Sequence, residues 1–249
     1  MKIYILDIET KPNLAYVWGI WQQNVLPSGM VEPSEIISYA AKQLGRKRTY
    51  YRDERQGVKR MLRGLWKILD DADVIIGHNS DKFDLKLIRA ALLREGFKPP
   101  SPFLQIDTLK IARKEFKFAR NSLSALAKEL GVSQKSEHKK FPGIKLWTEC
   151  LKGNEDAWKE MKAYNIQDVL VTEEVYMKLR PWSSSHPNLS KPDGSCSCAV
   201  CGHNEVQYRG YYTSRVGVTY RRFVCKSCNS WGREAQLDKD VPRRFGRNV

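Results

Sequence analysis

Asp7 and Glu9 stand two residues apart in the stretch Asp7-Ile8-Glu9-Thr10, near the start of a 249-residue chain. In a β-strand, side chains at i and i+2 share a face, so the two carboxylates project together. Two anions side by side near a core are unfavourable unless a cation lies between them, and hard carboxylate oxygens suit Mg²⁺ or Mn²⁺. The plain alternative is an acidic pair at a fraying strand end. A third carboxylate, Asp84, closes the run Gly77-His78-Asn79-Ser80-Asp81-Lys82-Phe83-Asp84. This run joins a strand to a helix, where open α/β folds place their ligands. A helix N-terminus would stabilise Asp84 even without metal, and Asp81 is the expected helix cap of the two. A fourth, Asp168, follows Tyr164 by four residues, which puts both on one helical face a turn apart. A core tyrosine capped by an acid would read the same way.

The cysteines carry a second chemistry. Cys150 stands alone, whereas Cys196, Cys198, Cys201, Cys225 and Cys228 crowd the last quarter of the chain. Cys198/Cys201 and Cys225/Cys228 form two C-x-x-C knuckles about two dozen residues apart, near the spacing of zinc sites. Four thiolates close the tetrahedral coordination of one Zn²⁺, which makes the site structural and not catalytic. A segment this small needs such a staple to fold. Cys196 could replace Cys198 or remain a free thiol; the C-x2-C-G pattern favours Cys198.

These residues need elements to position them. Residues 2–8 form a nearly continuous apolar run of strand length. Residues 15–21, 35–41 and 48–52 continue as strand-like stretches and predict a meander, with Pro27, Gly29 and Gly45 as punctuation. Helical spacing of Val58, Met61, Leu62, Leu65, Trp66 and Leu69 predicts a helix over 56–72. A short strand at 73–77, a helix at 82–95, a strand at 103–106 and helices at 108–116, 122–130 and 155–179 complete the pattern. Strands first and α/β alternation later imply a mixed sheet with helices packed on it. The Ser- and Pro-rich stretch 181–195 has linker composition. It divides a first domain, 1–180, from a small β zinc ribbon with a basic tail, 196–249.

The net charge of +15 and pI near 9.6 point to a phosphate backbone as partner, bound with salt sensitivity. No apolar run approaches the ~18 residues that cross a bilayer, and no signal peptide is evident, so a cytoplasmic address without membrane contact is expected. In the ribbon, Arg209, Arg215, Arg221, Arg222, Arg243, Arg244 and Arg247 interleave with Tyr211, Tyr212, Tyr220 and Trp231. That mixture suits nucleic acid; a ribbon that packs on the first domain or binds a protein partner is the alternative. Lys135, Lys139 and Lys140 form either a solvated loop or a phosphate rail.

Asp-Ile-Glu-Thr after an apolar strand, His-Asn-x3-Phe-Asp after the next αβ turn, and Tyr-x3-Asp in a late helix resemble the three motifs of the DEDD 3′–5′ exonuclease superfamily, tyrosine subclass. The resemblance covers roughly residues 1–180, and the family's ribonuclease H-like mixed sheet agrees with the element pattern. It implies two Mg²⁺ or Mn²⁺ ions held by Asp7, Glu9, Asp84 and Asp168, with Tyr164 orienting the attacking water. Ala163 stands where the histidine subclass carries its base. A tyrosine pKa of about 10 makes Tyr164 a poor base, so the metal must acidify the water. Asn79 and Phe83 match positions that contact or stack the terminal nucleotide. The cysteine segment is similar to zinc ribbons of transposases and transcription-related proteins. The expected activity is release of 5′-mononucleotides from single-stranded or frayed DNA or RNA, DNA favoured. The rivals are a structure-selective endonuclease on the same fold and a catalytically silent nucleic-acid-binding protein. Asp107 reads as a helix cap and not a fifth ligand. Trp18 and Trp21 read as core aromatics ahead of base-stacking ones, and His78 and His138 have no assigned role.

Overall fold

The computed structural model describes residues 1–19, 21–133, 140–190, 197–215, 217–235 and 245–247. In chain order its elements are β1 (Ile3–Thr10), β2 (Leu14–Ala15), β3 (Met30–Glu32), β4 (Ile36–Gln43), β5 (Thr49–Asp53), α1 (Val58–Asp71), β6 (Val74–Gly77), α2 (Asp84–Arg94), β7 (Leu104–Asp107), α3 (Thr108–Glu115), α4 (Leu123–Glu129), α5 (Lys145–Leu151), α6 (Glu155–Leu179), β8 (Val206–Thr213), β9 (Thr219–Cys225), β10 (Trp231–Ala235) and β11 (Phe245–Arg247). The chain forms two compact units, Met1–Leu109 with Ser122–Glu174, and Lys110–Asn121 with Val175–Val249. Among the described residues, no helix is long and apolar enough to cross a membrane.

In the first unit, five strands form a mixed sheet in the order β5-β4-β1-β6-β7. β1 pairs antiparallel with β4 and parallel with β6. Its even residues Tyr4, Leu6 and Ile8 pack with Met61, Leu62, Leu65 and Leu69 of α1 and Leu85 and Ile88 of α2. Each such buried aliphatic side chain contributes about 1.5–3 kcal/mol. Alternation along the strand sends Asp7 and Glu9 to the other face. A second cluster joins Ile37 of β4 to Leu146 and Cys150 of α5 and to Ala157, Trp158 and Met161 of α6. Arg55 bonds to Asp53 and Glu155 and lies over the Trp158 ring, 4.8 Å from its centre, linking β5 to the start of α6. Lys42 and Glu173 form a largely buried ion pair between β4 and α6. The architecture is the expected α/β mixed sheet flanked by helices.

Two expectations need correction. The strand over 15–21 is confined to β2, which pairs only with β3. β4 pairs directly with β1, so the segment between them does not enter the five-stranded sheet. Trp18 and Trp21 are consequently exposed, not core. Secondly, α5 lies in a stretch where no element was expected. Its buried residues are the single pair Leu146 and Cys150, too few for a hydrophobic period to register.

In the second unit, residues of linker composition are folded. Leu189 is buried and donates its N–H to the Ala199 carbonyl at 2.7 Å. The Ser184 N–H and hydroxyl both donate to Glu115, and His186 stacks on Tyr176 with a 2.9 Å hydrogen bond to its hydroxyl. The sheet of this unit has the order β11-β10-β9-β8. Gly232 allows the Phe223 ring to lie against the neighbouring backbone: an added Cβ would meet its Cζ at 2.3 Å.

The turn after β6 depends on Gly77, where an added Cβ would stand 2.5 Å from the Cβ of buried Ser80. Overpacking of that kind costs about 1–3 kcal/mol. Gly77→Ala is therefore expected to lower unfolding stability by that amount in urea melts.

Candidate active site

Asp7, Glu9 and Asp168 converge on the α5/α6 face of the sheet, with one carboxylate oxygen from each lying within 4.8 Å of the others. Glu9 and Asp168 are largely buried. Three like charges at that spacing repel one another, and neutral donors offset part of the cost. The Asn165 amide donates to Asp7 Oδ2 at 2.6 Å, and its own oxygen accepts from the Ser38 hydroxyl at 3.1 Å. The Trp147 indole N–H donates to Glu9 Oε2 at 3.0 Å. Tyr164 meets the Trp147 ring edge-on at 5.9 Å. Its hydroxyl pKa is pushed well above the ordinary tyrosine range, by burial first and then by Asp168, Glu9 and Asp7. The hydroxyl thus stays protonated and can hold a ligand without taking its proton.

Asp84 lies outside this group of three. β1 runs beyond the end of β6, their ladder finishing at Ile5 and Ile76. The Ile8 N–H past that point is satisfied by Asp84 Oδ1 at 3.2 Å, as a buried backbone donor requires. The first turn of α2 is thereby bonded to the residue between Asp7 and Glu9. Burial pushes the Asp84 pKa up to about 6, against the backbone donors that lower it and with Asp107 raising it further.

Asp107 organises the preceding loop. It accepts the N–H groups of Asn79 (2.9 Å), Asp81 (3.3 Å) and Leu109 (2.9 Å), the last at the start of α3 as a helix-capping acid would. Asn79 adopts a left-handed conformation, φ 62°, which asparagine tolerates better than most residues. Phe83 is half-exposed at the start of α2. Asp81 does not cap that helix: Phe83 occupies the cap position with no side-chain bond. His78 Nδ1 is 2.9 Å from the Thr108 hydroxyl, which itself donates to the Gly77 carbonyl. Lys140 pairs with Asp156, while Lys135, His138 and Lys139 lie outside the described residues.

Sequence reasoning missed Asn165, Trp147 and Ser38. Asn165 stands inside the quoted Tyr-x3-Asp motif, so its position held a signal; Trp147 and Ser38 had none.

Cys198, Cys201, Cys225 and Cys228 bring their sulfurs within 4.8 Å of one another. The pairs Cys198/Cys228 and Cys201/Cys225 are each 3.6 Å apart. Tetrahedral zinc with Zn–S bonds of 2.3 Å requires roughly 3.8 Å, so the donor set fits a small zinc ribbon. The Ser230 hydroxyl lies 3.1 Å from the Cys198 sulfur and 3.0 Å from that of Cys228. Cys196, the rival ligand, lies outside the described residues. Cys150 is buried, its thiol pushed up to about 12 chiefly by burial, and takes no part in either cluster.

A family model described as RNase_H superfamily matches residues 4–180. The match spans all four carboxylates and stops short of the four clustered cysteines. No curated protein matches the chain. Members of this superfamily generally hydrolyse phosphodiester bonds with divalent metals, and the acidic cluster could hold such an ion.

Supporting residues around metal ligands typically control 10–100-fold in metal affinity or activity. Trp147→Phe, which keeps a ring against Tyr164 but loses the donor to Glu9, and Asn165→Ala are each expected to weaken divalent-ion binding by that factor in calorimetric titrations. Asp84 gives a pH signature without metal. Its folded pKa near 6 exceeds the unfolded value of 3.8, so its contribution is full below the unfolded value and is lost as pH rises through 6. Metal-free protein should lose on the order of 2 kcal/mol more than Asp84→Asn between pH 4.5 and 7 in denaturant melts.

Proposed function

The chain belongs to the RNase_H superfamily, and from that premise we propose that it is a metal-dependent 3′–5′ exonuclease acting on single-stranded or frayed nucleic acid, DNA favoured. The observation that carries the reading is the convergence of Asp7, Glu9 and Asp168 within 4.8 Å beside Tyr164, with Asp84 bonded to the strand that bears the first two. Asp7, Glu9, Asp84 and Asp168 would hold two Mg²⁺ or Mn²⁺ ions. Such a pair supplies an activated water and stabilises the attacking and leaving oxygens of a phosphodiester.

The remaining work falls to this chain's own side chains. Asn165 and Trp147 hold Asp7 and Glu9 in place through neutral donors, which leaves the negative charge of the site undiminished. Tyr164, protonated at neutral pH, orients the attacking water without serving as its base. Ala163 leaves no histidine to do so. Phe83 offers a half-exposed ring to stack on the terminal base, and Asn79 stands at the bend that leads to it. In this reading residues 1–180 are the exonuclease domain, 181–195 the connection, and 196–249 a ribbon held by one structural Zn²⁺ on Cys198, Cys201, Cys225 and Cys228.

A 3′-labelled single-stranded oligonucleotide with Mn²⁺ tests the proposal. Expected is stepwise release of 5′-mononucleotides, reduced on the order of 10²–10³-fold in Asp7→Ala and blocked by a 3′-terminal cap. Cutting that continues past the cap would identify an endonuclease, and release unaffected by Asp7→Ala would remove the catalytic role of the cluster.

A further inference from the structure

One face of the ribbon sheet carries cations that the ribbon fold does not use. Strand alternation divides its side chains into two sets. On one face Phe223 is buried against Gly232, Tyr208 donates to the buried Glu234 at 2.7 Å, and Arg221 lies 3.6 Å over the Tyr208 ring. That face is internally satisfied. The other face bears Gln207, Val224 and Trp231 in one cross-strand row, and Arg222 directly opposite Arg233 in the next.

Two like charges directly opposite on adjacent strands repel. Here each guanidinium is placed against an aromatic ring: Arg222 lies 5.8 Å from the centre of Trp231 and Arg233 4.6 Å from that of Tyr220. Ring contacts steady the cations but leave their charge uncancelled. Arg222 Nε is buried with no hydrogen-bond partner among the described residues. Beside this pair, Gln207, Arg209, Val224, Lys226, Asn229 and Trp231 line a shallow depression of about 560 Å³. The Trp231 ring is 47% exposed on its rim, and Arg209 and Lys226 are exposed. Of the two carboxylates within 197–235, Glu234 belongs to the opposite face and Glu205 precedes β8.

We infer that this face of the ribbon is a binding platform for single-stranded nucleic acid, separate from the carboxylate cluster. One unpaired base stacks on Trp231, and Arg209, Arg222, Lys226 and Arg233 contact the phosphates on either side of it. The partner is a polyanion because the face concentrates cations that no carboxylate among the described residues offsets. It is single-stranded because the exposed indole needs an unpaired base, which a duplex keeps inside its stack. The inference is independent of the nuclease reading, since it concerns binding alone.

Full-length protein in the Asp7→Asn background, without added divalent ions, would be titrated into fluorescein-labelled oligothymidylate, oligouridylate and a blunt duplex over a range of salt. Fluorescence anisotropy reads the affinity. Arg222→Gln/Arg233→Gln should weaken single-strand binding about ten-fold. It should also make the slope of log affinity against log salt shallower by roughly 1.4, the share of two phosphate contacts. Arg209→Gln/Lys226→Gln, confined to exposed side chains whose loss does not threaten the fold, should give the same reduction. Trp231→Ala should weaken binding without changing the slope, and the duplex should bind more weakly than either single strand. The thymidylate and uridylate arms tell DNA from RNA as the preferred strand. Unchanged affinity and slope in both paired variants, or preference for the duplex, would overturn the proposal, the former leaving the face to a protein partner.

Discussion

Mutual repulsion among Asp7, Glu9 and Asp168 is the constraint around which the first unit is arranged. Their oxygens lie within 4.8 Å of one another where water has little access, and a protein dielectric strengthens repulsion relative to solution. A lysine placed among them would cancel part of the charge that attracts a metal. Neutral donors solve the problem differently: the amide of Asn165 and the indole of Trp147 orient the oxygens while the net charge stays available. The same field, together with burial, keeps the Tyr164 hydroxyl protonated. Its chemistry is set by its neighbours.

The central strand makes this arrangement possible. β1 contributes Tyr4, Leu6 and Ile8 to the core under α1 and α2 and, on its other face, Asp7 and Glu9 to the acidic cluster. Hydrophobic burial on one face thus holds charges in register on the other. Where β6 ends before β1 does, a backbone donor is left over, and Asp84 fills it. A folding requirement and a carboxylate proposed to hold metal coincide there. Asp107 extends the logic to the loop of Asn79 and Asp81, both of whose own N–H groups donate to its carboxylate.

The ribbon follows another principle. Cys198, Cys225 and Cys228 are the buried centre of a cluster that also includes Val200, so the four-cysteine cluster takes the place of a larger hydrophobic core. With little left to bury, the sheet can keep one face satisfied by Phe223, Tyr208 and Glu234 and leave the other to cations and aromatics.

Much was legible in the sequence. The helices at 58–71 and 155–179, the acidic pair on one strand face and the paired C-x-x-C knuckles all rest on periodicities of two, three or four residues. Such patterns express local geometry, which any chain carries with it. The donors that steady the carboxylates were not legible: Asn165 and Trp147 reach Asp7 and Glu9 across 158 and 138 residues. Nor was the exposure of Trp18 and Trp21, whose segment does not enter the five-stranded sheet. In the ribbon, adjacent Arg221 and Arg222 fall on opposite faces with different partners, and a register shift after Tyr208 moves the pairing of β8 with β9. By itself, then, the sequence determined which residue types recur at which spacing, and so the elements and the candidate site residues. Only the tertiary structure decided which distant groups meet those residues, because that depends on strand order and register, neither of which is a property of neighbouring residues.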